Sequence, residues 1–335
     1  MRIVLVTPAA ATRRTGNRAT ATRWAGFLRE LGHVVEICTA WDGQPADLMI
    51  ALHAWRSAAS IARFRIAHPD RPLAVALTGT DLYHYLDAEP VPTLHSLDLA
   101  DQLIGLHDRV GEALPERHRG KLRVIHQSAR GRAERAPPNE ACFEVLVVGH
   151  LRAEKDPFRA ALAAQRLPAD SRSRVVHLGA ASDPAWAEAA RAEMEGNPRY
   201  EWLGDRPPAL VRRFMARARL MVLSSHMEGG ANVISEALVS GLPVLASRIV
   251  GSVGLLGPDY PGYVSVGDTA GLADLMLRAE RDPNFLRDLG TACAARADLF
   301  RPAHEKARLG RLVAELARDQ PLLASKRALF SALGG

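Results

Sequence analysis

The chain has 335 residues, more than one hydrophobic core usually serves, so length favours two domains of ordinary size. With 47% hydrophobic and 24% charged residues, and no apolar run near the ~20 residues that span a bilayer, the composition excludes disordered, fibrous and membrane-inserted classes. The net charge of +6 arises from 43 basic residues, almost all arginine and spread without blocks, which points to anionic small molecules as partners and away from nucleic acid.

"MRIVLVTPAA" opens the chain with a short apolar run ending in Thr-Pro, which predicts a first strand over 2–7 and not a signal peptide; a cytoplasmic location is the expectation. Trp24, Phe27, Leu28 and Leu31 then recur at i, i+3, i+4 and i+7, the apolar stripe of an amphipathic helix closed by Gly32. Further strands are expected over 33–39, 47–53, 73–78, 102–107 and 122–126, separated by helix-length intervals. That alternation is the signature of βαβ units and a parallel sheet. The stretch "ARGRAERAPPNE" (129–140) is charged, proline-containing and aperiodic, as an interdomain linker is. A second series of strands follows over 144–149, 173–179, 219–225 and 243–248.

From Pro302 the pattern is helical, with Leu309, Leu312, Val313 and Leu316 on one face. The expected division is a first Rossmann-like domain over 1–130, a linker over 131–143, a second Rossmann-like domain over 144–301 and a helical tail over 302–335 that packs back on the first domain. The fold class is α/β: two Rossmann-like, doubly wound parallel-sheet domains facing a central cleft, where strand ends and helix N-termini converge. Cys38, Cys142 and Cys293 are an odd number without C-x-x-C spacing, which argues for reduced, buried thiols and against disulfides or zinc.

The loops that carry chemistry lie at the ends of these strands. "HMEGGANVISEALVSGLP" (226–243) delivers Glu228 in a turn and Glu236 inside a helix stopped by Gly241 and Pro243. Gly229 and Gly230 let another molecule approach the backbone, and the amides near Ala231, Asn232 and Val233 offer a seat for phosphate. A carboxylate accepts hydrogen bonds from neighbouring hydroxyls, as a sugar or ribose presents them. Taken alone, the same residues also describe a solvated helix glutamate after an ordinary turn. Near the N-terminus, Arg13, Arg14 and Arg18 crowd a helix start marked by Gly16 and Asn17, an unfavourable place for cations unless an anion binds there. The alternative is that they are solvent-facing arginines in an arginine-rich chain. His53 ends a strand and either approaches the cleft or is structural. No G-x-G-x-x-G follows a strand, which disfavours a nicotinamide dehydrogenase.

"HMEGGANVISEALVSGLPV" resembles the E-x7-E motif of glycosyltransferase family 4, retaining enzymes of the GT-B fold that use nucleotide-sugar donors. The resemblance implies that Glu228 holds donor-sugar hydroxyls, that Glu236 holds the ribose, and that the amides of Gly229 to Val233 face sugar and diphosphate. "GHLRAEKD" (149–156) is similar to the family's G-R-L-x-x-x-K-G loop, whose basic residues neutralise the leaving diphosphate. Gly149 and Lys155 match, while His150 stands where the family has arginine; either Arg152 or His150 takes that role. "WLGDRPPALVRRF" resembles the segment that walls the nucleotide base, with Leu203, Gly204 and Arg206 nearest it. "LTGTDLY" (77–83) departs from the family's T-x-H-G-T-D, with Thr78 in place of the histidine beside Gly79 and Asp81.

"TGNRATATRWAGFLRELGH", "ALHAWRSAASIARFR" and "GSVGLLGPDYPGYVSVGD" are together similar to a narrower subfamily, the SenB-type selenosugar synthases of selenoneine biosynthesis. That resemblance implies transfer of a hexose from a UDP-sugar, typically UDP-N-acetylglucosamine, to selenophosphate, with no resident cofactor and no metal. A soft selenium nucleophile needs little deprotonation near neutral pH, so a missing catalytic base is tolerable. Lys155 and Arg152 are then expected to stabilise the departing UDP. The competing readings are a family 4 enzyme acting on a hydroxyl, a UDP-sugar epimerase, and a nucleotide-sugar-binding protein that has lost catalysis. Hexose preference, selenium against sulfur, anomeric outcome and oligomeric state stay open at this stage.

Overall fold

The computed structural model describes residues 1–10, 15–131, 136–137 and 139–333, and side-chain surroundings as far as residue 318. Arg13 and Arg14 lie outside the described residues, as does part of the stretch expected to be a linker. The chain forms two compact units, one of Met1–Gln127 with Pro302–Gly335, the other of Ser128–Arg301.

The first unit is built on β1 (Arg2–Val6), β2 (Val34–Cys38), β3 (Leu48–Leu52), β4 (Leu73–Ala76), β5 (Gln102–Gly105) and β6 (Leu122–Val124). All neighbours are parallel, in the order β2-β1-β3-β4-β5-β6. β3 and β4 are buried along their whole length because helices cover both faces of a parallel sheet. Alternate residues of a strand point to opposite faces. Ile3, Leu5, Leu48 and Ile50 accordingly join one apolar cluster, while Val4, Val6, Met49 and Ala51 join another.

The predicted stripe forms the helix Gly16–Glu30, which buries Trp24, Phe27 and Leu28. Leu31, expected on that stripe, is instead the C-cap residue and is 40% exposed, because the helix ends one residue short of it and Gly32 turns away at φ 87°. The N-cap is Thr15 and not the Gly16-Asn17 pair: the Thr15 hydroxyl accepts the Arg18 N–H, a bond glycine cannot supply. The tail is a helix, Pro302–Leu333, whose Leu309, Leu312, Val313 and Leu316 are buried in the cluster around Trp24. Glu305, 1% exposed, fixes its register by accepting from Trp24 Nε1 at 2.7 Å and Arg23 Nε at 2.7 Å.

The second unit comprises β7 (Phe143–Val148), β8 (Ser173–Leu178), β9 (Tyr200–Gly204), β10 (Leu220–Leu223), β11 (Val244–Ser247) and β12 (Tyr263–Val264). They lie in the order β12-β11-β10-β7-β8-β9, again all parallel. Two of these strands, β9 and β12, were not expected; both are edges of the sheet. Within the stretch read as a spacer, Ala129 donates its amide to Phe300 O at 3.1 Å, and a Cβ on Gly131 would fall 2.4 Å from Val239 O. Those residues therefore pack on the second unit. The three cysteines are free, but only Cys293 is buried; Cys38 and Cys142 are half-buried, each beside a strand end that packing leaves partly open. Burial, helped by Glu36 and Asp42, pushes the Cys38 thiol up to about 11. Among the described residues, no helix is long and apolar enough to cross a membrane.

Candidate functional site

In the second unit the parallel order β10-β7-β8-β9 brings four loops to one carboxyl edge. β7 exits at Gly149, whose carbonyl lies so close to Gly179, after β8, that a Cβ there would sit 1.9 Å from it. β9 exits at Gly204, with φ 72°, and the Gly204 carbonyl accepts the Gly179 amide at 2.9 Å. Gly149, His150, Leu203 and Gly204 thus share one edge, with Arg206 exposed in the turn beyond it. His177 on β8 braces this edge from below, and a small cavity between it, Lys155 and Ser225 lies under the turns. Because a carbonyl can only accept, His177 Nε2–H donates to Gly149 O at 3.0 Å, and Nδ1 accepts the Tyr200 hydroxyl at 3.0 Å. Complete burial lowers the His177 pKa to about 4 and keeps the ring neutral.

β10 leaves the sheet through Ser224 and Ser225 into the turn that carries Glu228. The Lys155 ammonium, delivered by the short 3-10 turn Ala153–Lys155, pairs with Glu228 Oε1. Ser225 Oγ donates to the same oxygen at 2.7 Å. Glu228 is buried, and among the described residues its Oε2 accepts nothing. One carboxylate oxygen is therefore anchored, while the other keeps its capacity for a ligand donor. The pairing joins the loops after β7 and β10 across the adjacent strand ends. His226 N donates to Glu154 O at 2.9 Å, and Ser224 Oγ to Asp156 O at 2.8 Å, so backbone and side chains stitch the same two loops.

Asp156 occupies the place of the final glycine in the resembled loop pattern and has the left-handed φ of 44° that such a position requires. Its carboxylate accepts from Arg159 Nε at 2.7 Å, and Arg159 Nη1 reaches Thr269 Oγ1 at 2.6 Å.

Gly229, Gly230 and Ala231 lead into the helix Asn232–Val239. Ala231 is the N-cap and has no side-chain oxygen to offer the first-turn amides. Glu236 is half-buried, one helical turn after Asn232 and on the same face. Behind the turn, the helix Val250–Leu256 presses so closely that a Cβ on Gly251 would fall 2.1 Å from Glu228 O. Arg152 pairs with Glu154 at 3.1 Å, and its buried Nε has no partner among the described residues. His150 Nδ1 accepts the Ala180 amide at 3.1 Å, which places the ring proton on Nε2. Among the described residues, no group of three or more His, Cys, Asp or Glu could hold a metal ion.

In the first unit, His53, Thr78, Gly79 and Asp81 come together at the carboxyl ends of β3 and β4. Asp81 is fully buried, and its carboxylate accepts the amides of Ala54 at 3.0 Å, Thr78 at 3.0 Å and Gly79 at 2.7 Å. Asp81 therefore holds the loop's shape, and the Gly79 amide is occupied by it. Gly16, Asn17 and Arg18 form the first turn of the helix Gly16–Glu30, where Arg18 is half-buried and Asn17 at N2 is not the cap. The roles of Ser225, Gly179, His177 and Asp156 escaped the sequence reading, and Gly251 figures there only as the start of a distinctive segment. Close-approach glycines carry no local signal beyond an isolated Gly at a strand end, and "SS" before the motif reads simply as the strand's end.

The family model described as "Glycosyl transferases group 1" matches residues 133–296, nearly the whole second unit. Over 81 residues the chain is 32% identical to N-acetyl-alpha-D-glucosaminyl L-malate synthase of Bacillus anthracis; the match covers 24% of this chain and 21% of that enzyme, about a fifth of its length. Anabaena Alr3699/HepE, solved in complex with UDP and glucose, superposes with a TM-score of 0.75 at 16% identity, covering 94% of this chain and 100% of that one. Sucrose-phosphate synthase of Thermosynechococcus elongatus superposes at 0.78 with 18% identity, covering 95% and 99%. Likeness at such identities is likeness of fold: the chain has the GT-B architecture.

Proposed function

We propose that the protein, whose residues 133–296 match the glycosyl transferases group 1 model, transfers a hexose from a UDP-sugar to selenophosphate. One observation carries the donor half: Lys155 and Glu228, from two separate loops, meet at the carboxyl edge with one Glu228 oxygen anchored and the other open. In this reading Glu228 Oε2 accepts from hydroxyls of the transferred sugar, Glu236 accepts from the ribose, and the amides from Gly229 to Val233 face the diphosphate. Leu203, Gly204 and Arg206 wall the base. In this reading the donor is UDP-N-acetylglucosamine, as the resemblance to selenosugar synthases implies.

The bonds balance with water as the one further reactant. Selenium attacks the anomeric carbon with its lone pair, the C–O bond to diphosphate breaks, and UDP leaves with that electron pair. Hydrolysis of the phosphorus–selenium bond then yields the selenosugar and phosphate. A weakly basic selenium nucleophile needs no general base, and Lys155 neutralises charge on the departing diphosphate, so the step as written uses neither metal nor resident cofactor.

Support for the acceptor comes from the resemblance of "TGNRATATRWAG" and "GSVGLLGPDYPGY" to selenosugar synthases, and from Arg18 in the first turn of a helix. The partial likeness to an L-malate-glycosylating enzyme favours a hydroxyl acceptor as the second reading. UDP release settles between them: the proposal expects release from UDP-N-acetylglucosamine that depends on added selenophosphate. Release driven by a hydroxy acid and indifferent to selenophosphate would replace it with the second reading.

A further inference from the structure

Resting on the reading above, we infer that Thr80 is a ligand-binding residue of the first unit, its hydroxyl proton aimed by His53 at an oxyanion of the acceptor. His53 follows β3 directly and has φ 73°, a left-handed conformation that a bulky residue adopts only when its surroundings impose it. The surroundings do so here. The His53 amide donates to Ala76 O at 2.8 Å, its carbonyl accepts from Ser57 N at 3.0 Å, and the residue is 2% exposed.

The proton positions follow from the partners. His53 Nδ1 accepts the Arg56 amide at 3.2 Å, so the ring proton resides on Nε2. Nε2–H then donates to Thr80 Oγ1 at 2.9 Å. Burial, the largest influence on this ring, lowers its pKa and keeps it neutral. With its oxygen accepting from the histidine, Thr80 must send its own proton elsewhere. Among the described residues Thr80 makes no other side-chain hydrogen bond, and it does not cap the π-helical turn Asp81–Tyr85 that follows it. The neighbouring backbone donors are already committed: Ala54, Thr78 and Gly79 give their amides to Asp81, and Leu82 and Tyr83 give theirs to Gly79 O.

The loop is thus rigid, with π-helical geometry of a kind found often at functional sites, and the half-exposed Thr80 offers an oriented donor at the carboxyl ends of adjacent central strands. A donor with its lone pair already occupied suits a strong acceptor, and a tetrahedral oxyanion such as the phosphoryl group of selenophosphate is one. His53 acts through Thr80 and is a positioning residue.

The test compares wild type with Thr80→Val, Thr80→Ser, His53→Gly and His53→Asn. Readouts are calorimetric binding of orthophosphate, which needs no turnover, and separate KM values for selenophosphate and UDP-N-acetylglucosamine. Thr80→Val is expected to weaken orthophosphate binding and raise the selenophosphate KM about tenfold or more, with the donor KM unchanged. Thr80→Ser restores both. His53→Gly suits the left-handed backbone but loses the donor, and should behave like Thr80→Val; His53→Asn tolerates the same backbone, keeps an N–H, and should retain more affinity. Orthophosphate binding equal in wild type and Thr80→Val, or a loss that Thr80→Ser does not restore, overturns the inference. Absence of selenophosphate turnover in wild type, with orthophosphate binding still dependent on Thr80, overturns only the proposed acceptor.

Discussion

Gly251→Ala probes how the proposed donor site is held. A Cβ at this position would lie 2.1 Å from Glu228 O, where ordinary contact begins at 3.4 Å, so about 1.3 Å must be found between two backbones. No flexible side chain can yield, because the obstructing atom is a carbonyl; either the Glu228 turn or the helix Val250–Leu256 moves. Overpacking of this kind costs about 1–3 kcal/mol of stability. A displacement of about 1 Å at a positioned carboxylate costs roughly a hundredfold in rate. The assay pairs urea unfolding with the kcat/KM of UDP release. Gly26→Ala is the control: nothing lies within 4 Å of its Cβ, and in a helix interior the change should stabilise by about 0.5–1 kcal/mol and leave turnover alone. A Gly251→Ala enzyme with wild-type stability and turnover would refute the packing argument.

The remaining predictions are briefer. Lys155→Ala should lower kcat by about 10²–10³ while leaving the fold intact, with Lys155→Arg recovering part of the loss; unchanged turnover would remove Lys155 from the leaving-group role. Burial holds both His107 and His177 near a pKa of about 4, against 6.5 for an exposed histidine. Between those values the unfolded chain binds more protons, so stability is fully present above pH 6.5 and falls as pH drops toward 4, by at most about 3 kcal/mol per histidine. Unfolding midpoints that do not change across that window would contradict it, and His177→Gln should flatten the second unit's share.

What the sequence made legible follows burial. All six strands of the first unit are visible as apolar runs or alternations, because a parallel sheet covered on both faces demands them. In the second unit β9 escapes because its burial is only partial beyond Tyr200, and β12 because it is two residues long. The helix start at Thr15 was missed by one residue, since glycine and asparagine are as common at caps as the threonine that supplies the hydroxyl. Tail residues Leu309 to Leu316 were legible from periodicity, whereas the buried Glu305 that pins them to Trp24, 281 positions away, was not. The same limit applies at the site. Motif spacing identifies Lys155 and Glu228 separately, but their pairing spans 73 residues and exists only once β7 and β10 lie side by side. Thr80 matches the second threonine of T-x-H-G-T-D, but the motif does not say what its hydroxyl does; that assignment depends on where one histidine proton points.

The central claim is the selenium-to-carbon bond. Incubation of the protein with UDP-N-acetylglucosamine and selenophosphate, beside thiophosphate and phosphate controls, followed by mass spectrometry of the products, tests it most directly. The account predicts a hexosamine carrying selenium at its anomeric carbon, formed together with an equal amount of UDP. Intact UDP-N-acetylglucosamine, or UDP release with no selenium in the sugar, would contradict it.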